Sequence, residues 1–132
     1  MKQHKIVCYG EVLWDMLPTG KLAGGAPMNV AYHLNGLGLK THIISRVGND
    51  ALGIELLDFL NTKEVPTSFI QIDNGFQTGV VDVILDEKGS PSYSIVHPVA
   101  WDNIEIKEEL KTAVTAADAL VYGSLACRDS VT

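Results

Sequence analysis

Cysteine is nearly missing from this 132-residue chain: Cys8 and Cys127 are the only two. Thiols that far apart frame no disulfide scaffold and no metal-ligand spacing, so a reducing, cytoplasmic setting is the default expectation. His4, His33, His42 and His97 are scattered, and no metal constellation is expected from them. Positive charge is also scarce, with 10 Lys and Arg against 16 Asp and Glu and a net charge of −6. That balance argues against non-specific attraction to nucleic acid or to an anionic membrane, although a phosphate ligand needs only a few local donors. No apolar run reaches membrane-spanning length, and the start Met1-Lys2-Gln3-His4 lacks a signal-peptide core. Repeats, low-complexity tracts, flexible linkers and a Gly-x4-Gly-Lys-[Ser/Thr] phosphate loop are all absent. What remains is ordinary soluble-globular composition, 46% hydrophobic and 20% charged. It suits a single domain with a sizeable core.

In chain order, Lys5 to Tyr9 is an apolar run ending at Gly10 and reads as a buried strand. Val12 to Leu17 is a second extended piece, stopped by Pro18-Thr19-Gly20, and Lys21 to Ala23 a short third. A helix is expected from about Pro27 to Gly36 or Gly38. Thr41 to Val47 is apolar and β-branched, a buried strand. Asn49 or Asp50 caps a helix running to about Lys63. Its polar stripe of Glu55, Asp58 and Asn61 is narrow, which predicts a helix covered on most of its surface. Ser68 to Ile72 reads as a strand. Thr78 to Asp86 and Ser92 to His97 alternate around the turn Glu87-Lys88-Gly89-Ser90-Pro91, an antiparallel hairpin with Val81, Val83 and Leu85 on its apolar face. Ile106, Leu110, Ala113, Val114 and Ala117 mark an amphipathic helix, and Ala119 to Tyr122 a last buried strand. The alternation of strands and helices predicts a parallel sheet with helices on both faces, beside a small separate sheet made of the 12–17 strand and the hairpin. The chain stops soon after that last strand, where a parallel sheet wants further cover, so an incomplete protein is suspected.

The stretch Gly24-Gly25-Ala26-Pro27-Met28-Asn29-Val30-Ala31 organises the rest. Two glycines allow a sharp bend and close backbone approach. Pro27 suits the first helical turn, and Val30, Leu34 and Leu37 continue one apolar helical face. A helix start offers free N–H groups, and Asn29 adds an amide that both donates and accepts. In open α/β sheets ligands lie at the carboxyl ends of strands. There the sequence puts Asp15, the Gly24-Gly25 turn and Gly123-Ser124. Trp14 and Trp101 read as ligand-stacking or, more simply, packing residues.

The spacing Gly24-Gly25, Asn29-Val30-Ala31, Gly38, Gly48-Asn49-Asp50 resembles the N-terminal signature of the pfkB-type carbohydrate kinases, the ribokinase and fructokinase family. Gly10-Glu11-Val12-Leu13-Trp14-Asp15 resembles that family's first strand and its sugar-binding aspartate. Tyr122-Gly123-Ser124-Leu125-Ala126-Cys127-Arg128 is most similar to the fructokinase branch. The resemblance spans the chain but only the N-terminal half of the family's pattern.

The resemblance implies an α/β fold, a Rossmann-like three-layer sandwich of ribokinase-like type. A β-sheet lid would be formed by segments at about 12–24 and 78–98, and the C-terminal half is absent. It implies ATP-dependent phosphoryl transfer to a sugar, fructose first, with ATP and Mg2+ serving the full-length enzyme and a homodimer paired through the lid. Asp15 would accept hydrogen bonds from sugar hydroxyls, and Gly24, Gly25 and Asn29 fall on the other sugar-contact positions. His97 stands near a lid position that in fructokinases often carries arginine. Read locally, it is a surface histidine before a proline. The family's Gly-Ala-Gly-Asp turn, whose aspartate is the general base, does not occur here, so this chain alone is expected to be inactive. Two other readings stay open: a non-catalytic sugar-binding or dimerising module, and a kinase of another sugar or of a nucleoside.

Overall fold

The structure, a computed structural model, describes residues 2–130. Its first strand β1 (Lys5–Tyr9) lies between β4 (Lys40–Gly48) and β8 (Ala119–Tyr122), and β5 (Ile70–Asp73) completes an all-parallel sheet in the order β5-β4-β1-β8. Register pairs Cys8 with Ile43 and with Val121. Because successive side chains point to opposite faces, Cys8, Ile43 and Val47 enter one core and Val7 and Ile44 another. The first core is closed by α1 (Ala26–Gly36), through Met28 and Ala31, and by α2 (Ala51–Thr62), through Leu56 and Leu60. The second is closed by Ile104 and by Leu110 of α3 (Glu108–Thr115). Helices thus cover both faces, as the βαβ rhythm predicts.

The remaining strands form a second sheet. β2 (Leu13–Leu17) sits between β3 (Gly20–Gly24) and β6 (Gly79–Leu85), and β7 (Pro91–Ile95) closes the order β3-β2-β6-β7. The β6–β7 pair is the antiparallel hairpin that the alternation anticipates, while β2 and β6 run parallel. Trp14 shows what fixes one face of this sheet. Its indole N–H donates to the Leu52 carbonyl at 2.9 Å, and its ring meets Phe59 edge-on. It is therefore a packing residue joining β2 to α2.

Local signals explain most element ends. Asp50 caps α2, its Oδ1 accepting the Gly53 N–H at 2.8 Å, and α1 stops before Gly38, whose φ is +85°. Several expectations fail. α2 buries one face only, and Ile54 is 58% exposed, because a narrow polar stripe permits cover without supplying it. β8 has one neighbour, β1, and lies at the sheet edge with Leu120 and Tyr122 exposed. Leu85 is exposed where Val81 and Val83 are buried, since it sits at the turn end of the hairpin. Ile106 precedes α3 and is exposed. Cys8 is buried and Cys127 exposed, and burial pushes the Cys8 thiol up to about 11. No helix among the described residues is long and apolar enough to cross a membrane.

Candidate functional site

β1 ends at Tyr9 and β2 begins at Leu13, so the link Gly10-Glu11-Val12 carries the chain out of the central sheet at its carboxyl end and into the second. The turn Gly24-Gly25 returns it to α1. Register places Asp15 opposite Leu22 on β3 and Val81 on β6. Directly opposed residues share a face, so the Asp15 carboxylate stands among apolar neighbours. Among the described residues no group donates to it. Burial without a partner pushes its carboxyl above the usual carboxylate value. Its Oδ2 lies 2.5 Å from where a Cβ on Gly24 would sit, so a side chain there would displace the carboxylate. Gly25 has φ +113°, and a Cβ there would run into the Glu11 carbonyl. The turn is thus glycine for two separate reasons, one steric against a side chain and one steric against backbone.

Asn29 follows one turn into α1. Its N–H donates to the Gly25 carbonyl at 2.9 Å, and its side chain is exposed. Asp15, Gly24, Gly25 and Asn29 thus cluster where β2 and β3 meet the start of α1. His97 does not join them. It follows β7, is exposed, and its Nε2 lies 3.1 Å from Asp129 Oδ2. Trp101 is fully buried against Gly79 and offers no ring to a ligand.

The sequence reading missed Glu11. This residue is 4% exposed, and its Oε1 accepts the Ala26 N–H at 3.3 Å, at the first residue of α1. Its Oε2 is buried with no hydrogen-bond partner. A Cβ on Gly123 would come within 3.0 Å of that oxygen, and a Cβ on Gly10 within 2.8 Å of Pro27. Gly10 and Gly123, from two separate segments, therefore make the space in which the Glu11 side chain and Pro27 nest. The signal available in the sequence was a lone glutamate between Gly10 and an apolar run. Its carboxylate already occupies the positive end of α1, where an anionic ligand would otherwise be drawn.

Three basic side chains are committed to other partners. Lys21 pairs with Glu55 and lies over the Trp14 ring. Arg46 pairs with Asp73, and Arg128 with Asp102. The cluster is therefore two carboxylates, glycine backbone and an amide, a set that accepts hydrogen bonds from hydroxyl groups and repels anions.

Such a site, beside a parallel sheet with a small second sheet, defines a ribokinase-like sugar kinase architecture. The sequence pattern of the pfkB family carbohydrate kinases matches residues 2–131, and the chain belongs to that family. It is 37% identical to a putative sugar kinase of Pyrococcus horikoshii, over 91% of this chain and 42% of that protein. The crystal structure of that protein superposes with a TM-score of 0.82, covering 92% of this chain and 43% of its own, and it has also been solved in complex with ATP. The chain is 31% identical to a probable fructokinase-7 of Arabidopsis thaliana, over 91% of this chain and 39% of that protein. A Vibrio cholerae fructokinase crystallised with fructose, ADP and calcium matches with a TM-score of 0.66 and 27% identity, over 78% of this chain and 35% of its own. The chain thus spans about two fifths of the length of the relatives it matches.

Proposed function

We propose that this chain is the sugar-binding part of an ATP-dependent kinase that phosphorylates a sugar hydroxyl, with fructose as its substrate. The observation that carries the reading is Asp15, a carboxylate partly withdrawn from water, pushed up by burial, without a donor, and set over Gly24. Sugar hydroxyls supply the missing donors, and Gly24, Gly25 and Asn29 complete the contacts. Fructose is supported by the fructokinases among the relatives and by the charge of the cluster. A phosphorylated or acidic sugar would meet Asp15 and Glu11 with no uncommitted cation beside them. His97, which meets Asp129 instead of the cluster, is given no part in the sugar contacts.

ATP use is supported by the ATP complex of the Pyrococcus horikoshii relative. No motif of this chain is assigned to the nucleotide or to Mg2+. Glu11 fills the start of α1, and no group of three or more acidic, histidine or cysteine side chains among the described residues could hold a metal. No Gly-Ala-Gly-Asp turn occurs in the sequence, so this chain alone transfers no phosphoryl group. The face of the second sheet that carries Asp15 also exposes Leu22, Tyr93 and Ile95. A second copy of the chain covers this face, closing over the sugar as a lid. Sedimentation that finds only monomer at micromolar concentration would remove that part.

The test is calorimetric titration of fructose into the purified chain and into Asp15→Ala. Loss of a charged hydrogen-bond acceptor weakens binding roughly tenfold to a hundredfold. Equal affinity in the two proteins would take Asp15 out of the site. A coupled assay with ATP and Mg2+ should give no turnover from the chain alone.

A further inference from the structure

The segment after β8 is spent on something other than the sugar cluster. Arg128 follows a 3-10 turn at Ser124–Cys127 and reaches across to the foot of the β6–β7 hairpin. Its Nε donates to Asp102 Oδ1 at 2.7 Å, and one terminal nitrogen donates to Asp102 Oδ2 at 2.7 Å and to the Val96 carbonyl at 2.8 Å. Its guanidinium lies 4.1 Å from the centre of the Trp101 ring. Asp102 is 1% exposed, and its Oδ2 also accepts the Val99 N–H at 2.8 Å, fixing the link between β7 and the 3-10 turn at Ala100–Asn103.

Trp101 carries this arrangement into the second sheet. Its indole lies directly against Gly79, the first residue of β6, at a point where no side chain fits. Gly79 is in register with Leu13, and Leu13 with Gly24. Trp101 therefore closes the Gly79 end of the row Gly24–Leu13–Gly79 on the face that carries Asp15, and Trp101 is held by Arg128. The next residues along these strands on the same face are Leu22, Asp15 and Val81. At the other end Arg128 is anchored to the central sheet, since Gly123 donates to the Tyr9 carbonyl at 3.0 Å and Ala126 packs at Gly10. The neighbouring Asp129 reinforces the junction by meeting His97.

We infer that Arg128 is a positioning residue: through Asp102, Trp101 and Val96 it sets the second sheet against the carboxyl end of the central sheet and so fixes Asp15 relative to α1 and its Asn29. That Asp15 meets sugar rests on the proposed function; the coupling of the sheets does not. A planar guanidinium is needed because it satisfies the Asp102 carboxylate with two parallel bonds and stacks on the indole at once, which an ammonium cannot do.

The experiment compares the full chain with Arg128→Lys, and with Asp102→Asn as a second variant that keeps size and shape. Amide hydrogen exchange is followed for residues 79–97 and for β1 and β4, with tryptophan emission alongside. The expected result is faster exchange in 79–97 in both variants with β1 and β4 protected as before, a shifted tryptophan emission, and fructose binding weakened roughly tenfold. Unchanged exchange in 79–97 would overturn the inference. So would equal acceleration in both sheets, which marks a residue that only adds general stability. If the parent chain binds no fructose while the exchange pattern still changes locally, the sugar reading fails and the coupling stands.

Discussion

The central and second sheets differ in what their faces are asked to do. In the central sheet, β1 and β4 are covered on both faces, by α1 and α2 on one side and α3 on the other. In the second sheet one face is tied down through Trp14 and Leu52. The other presents Asp15 among Leu22, Tyr93 and Ile95. A sheet closed on both sides strongly disfavours a charged group left unpaired. A sheet with one open face can hold an unpaired carboxylate, because a ligand or water reaches it. The partly buried Asp15 carboxylate accordingly lies on the layer with an open face, where the cost of a partly desolvated charge is tolerable.

That contrast can be broken by substitution. The largest effect belongs to the covered sheet: Ile43 is fully buried, and Ile43→Ala should lower unfolding free energy by about 2–5 kcal/mol in urea titration. An intermediate effect belongs to the cap of α2. Burial tends to raise the Asp50 carboxyl, but bonds from the Thr78 hydroxyl and N–H and from the Gly53 N–H bring it below the usual value of 3.8. Its stabilisation is therefore present above 3.8 and fades as pH falls through the lowered value. Asp50→Ala should cost about 1 kcal/mol at pH 7, with the gap to the parent closing in acid.

The smallest effect has the opposite sign. Burial raises the Asp15 carboxyl above 3.8 in the folded chain, so its ionisation opposes folding. That cost is complete above the raised value and disappears below 3.8. Asp15→Asn should thus melt slightly higher than the parent at pH 7 while binding fructose worse, and the two melting curves should converge as pH falls. A lower melting temperature for Asp15→Asn at pH 7 would contradict the account of the open face.

The residues that were legible in the sequence share one property: their evidence is local. Asp50 precedes its helix, Gly24 and Gly25 precede theirs, and the 79–95 alternation needs only its own strands. Asp15 was legible as a candidate through its motif, though its lack of a donor was not. The residues that escaped depend on distant segments. Glu11 nests with Pro27 where Gly10 and Gly123 leave room, and no window of sequence contains both glycines. Arg128 meets Asp102 from 26 positions away. Exposure escaped for the same reason. The alternation puts Leu85 with Val81 and Val83, whereas its place at the turn end of the hairpin decides that it is exposed.

The two cysteines have a practical consequence. Cys8 lies in the core with its thiol pushed up to about 11, so alkylating reagents pass it by while the chain is folded. Cys127 is exposed and immediately precedes Arg128. A maleimide dye added to the native protein should therefore attach at one place, next to the joint between the two layers. Movement of the second sheet could then be followed optically without engineering a label into the chain.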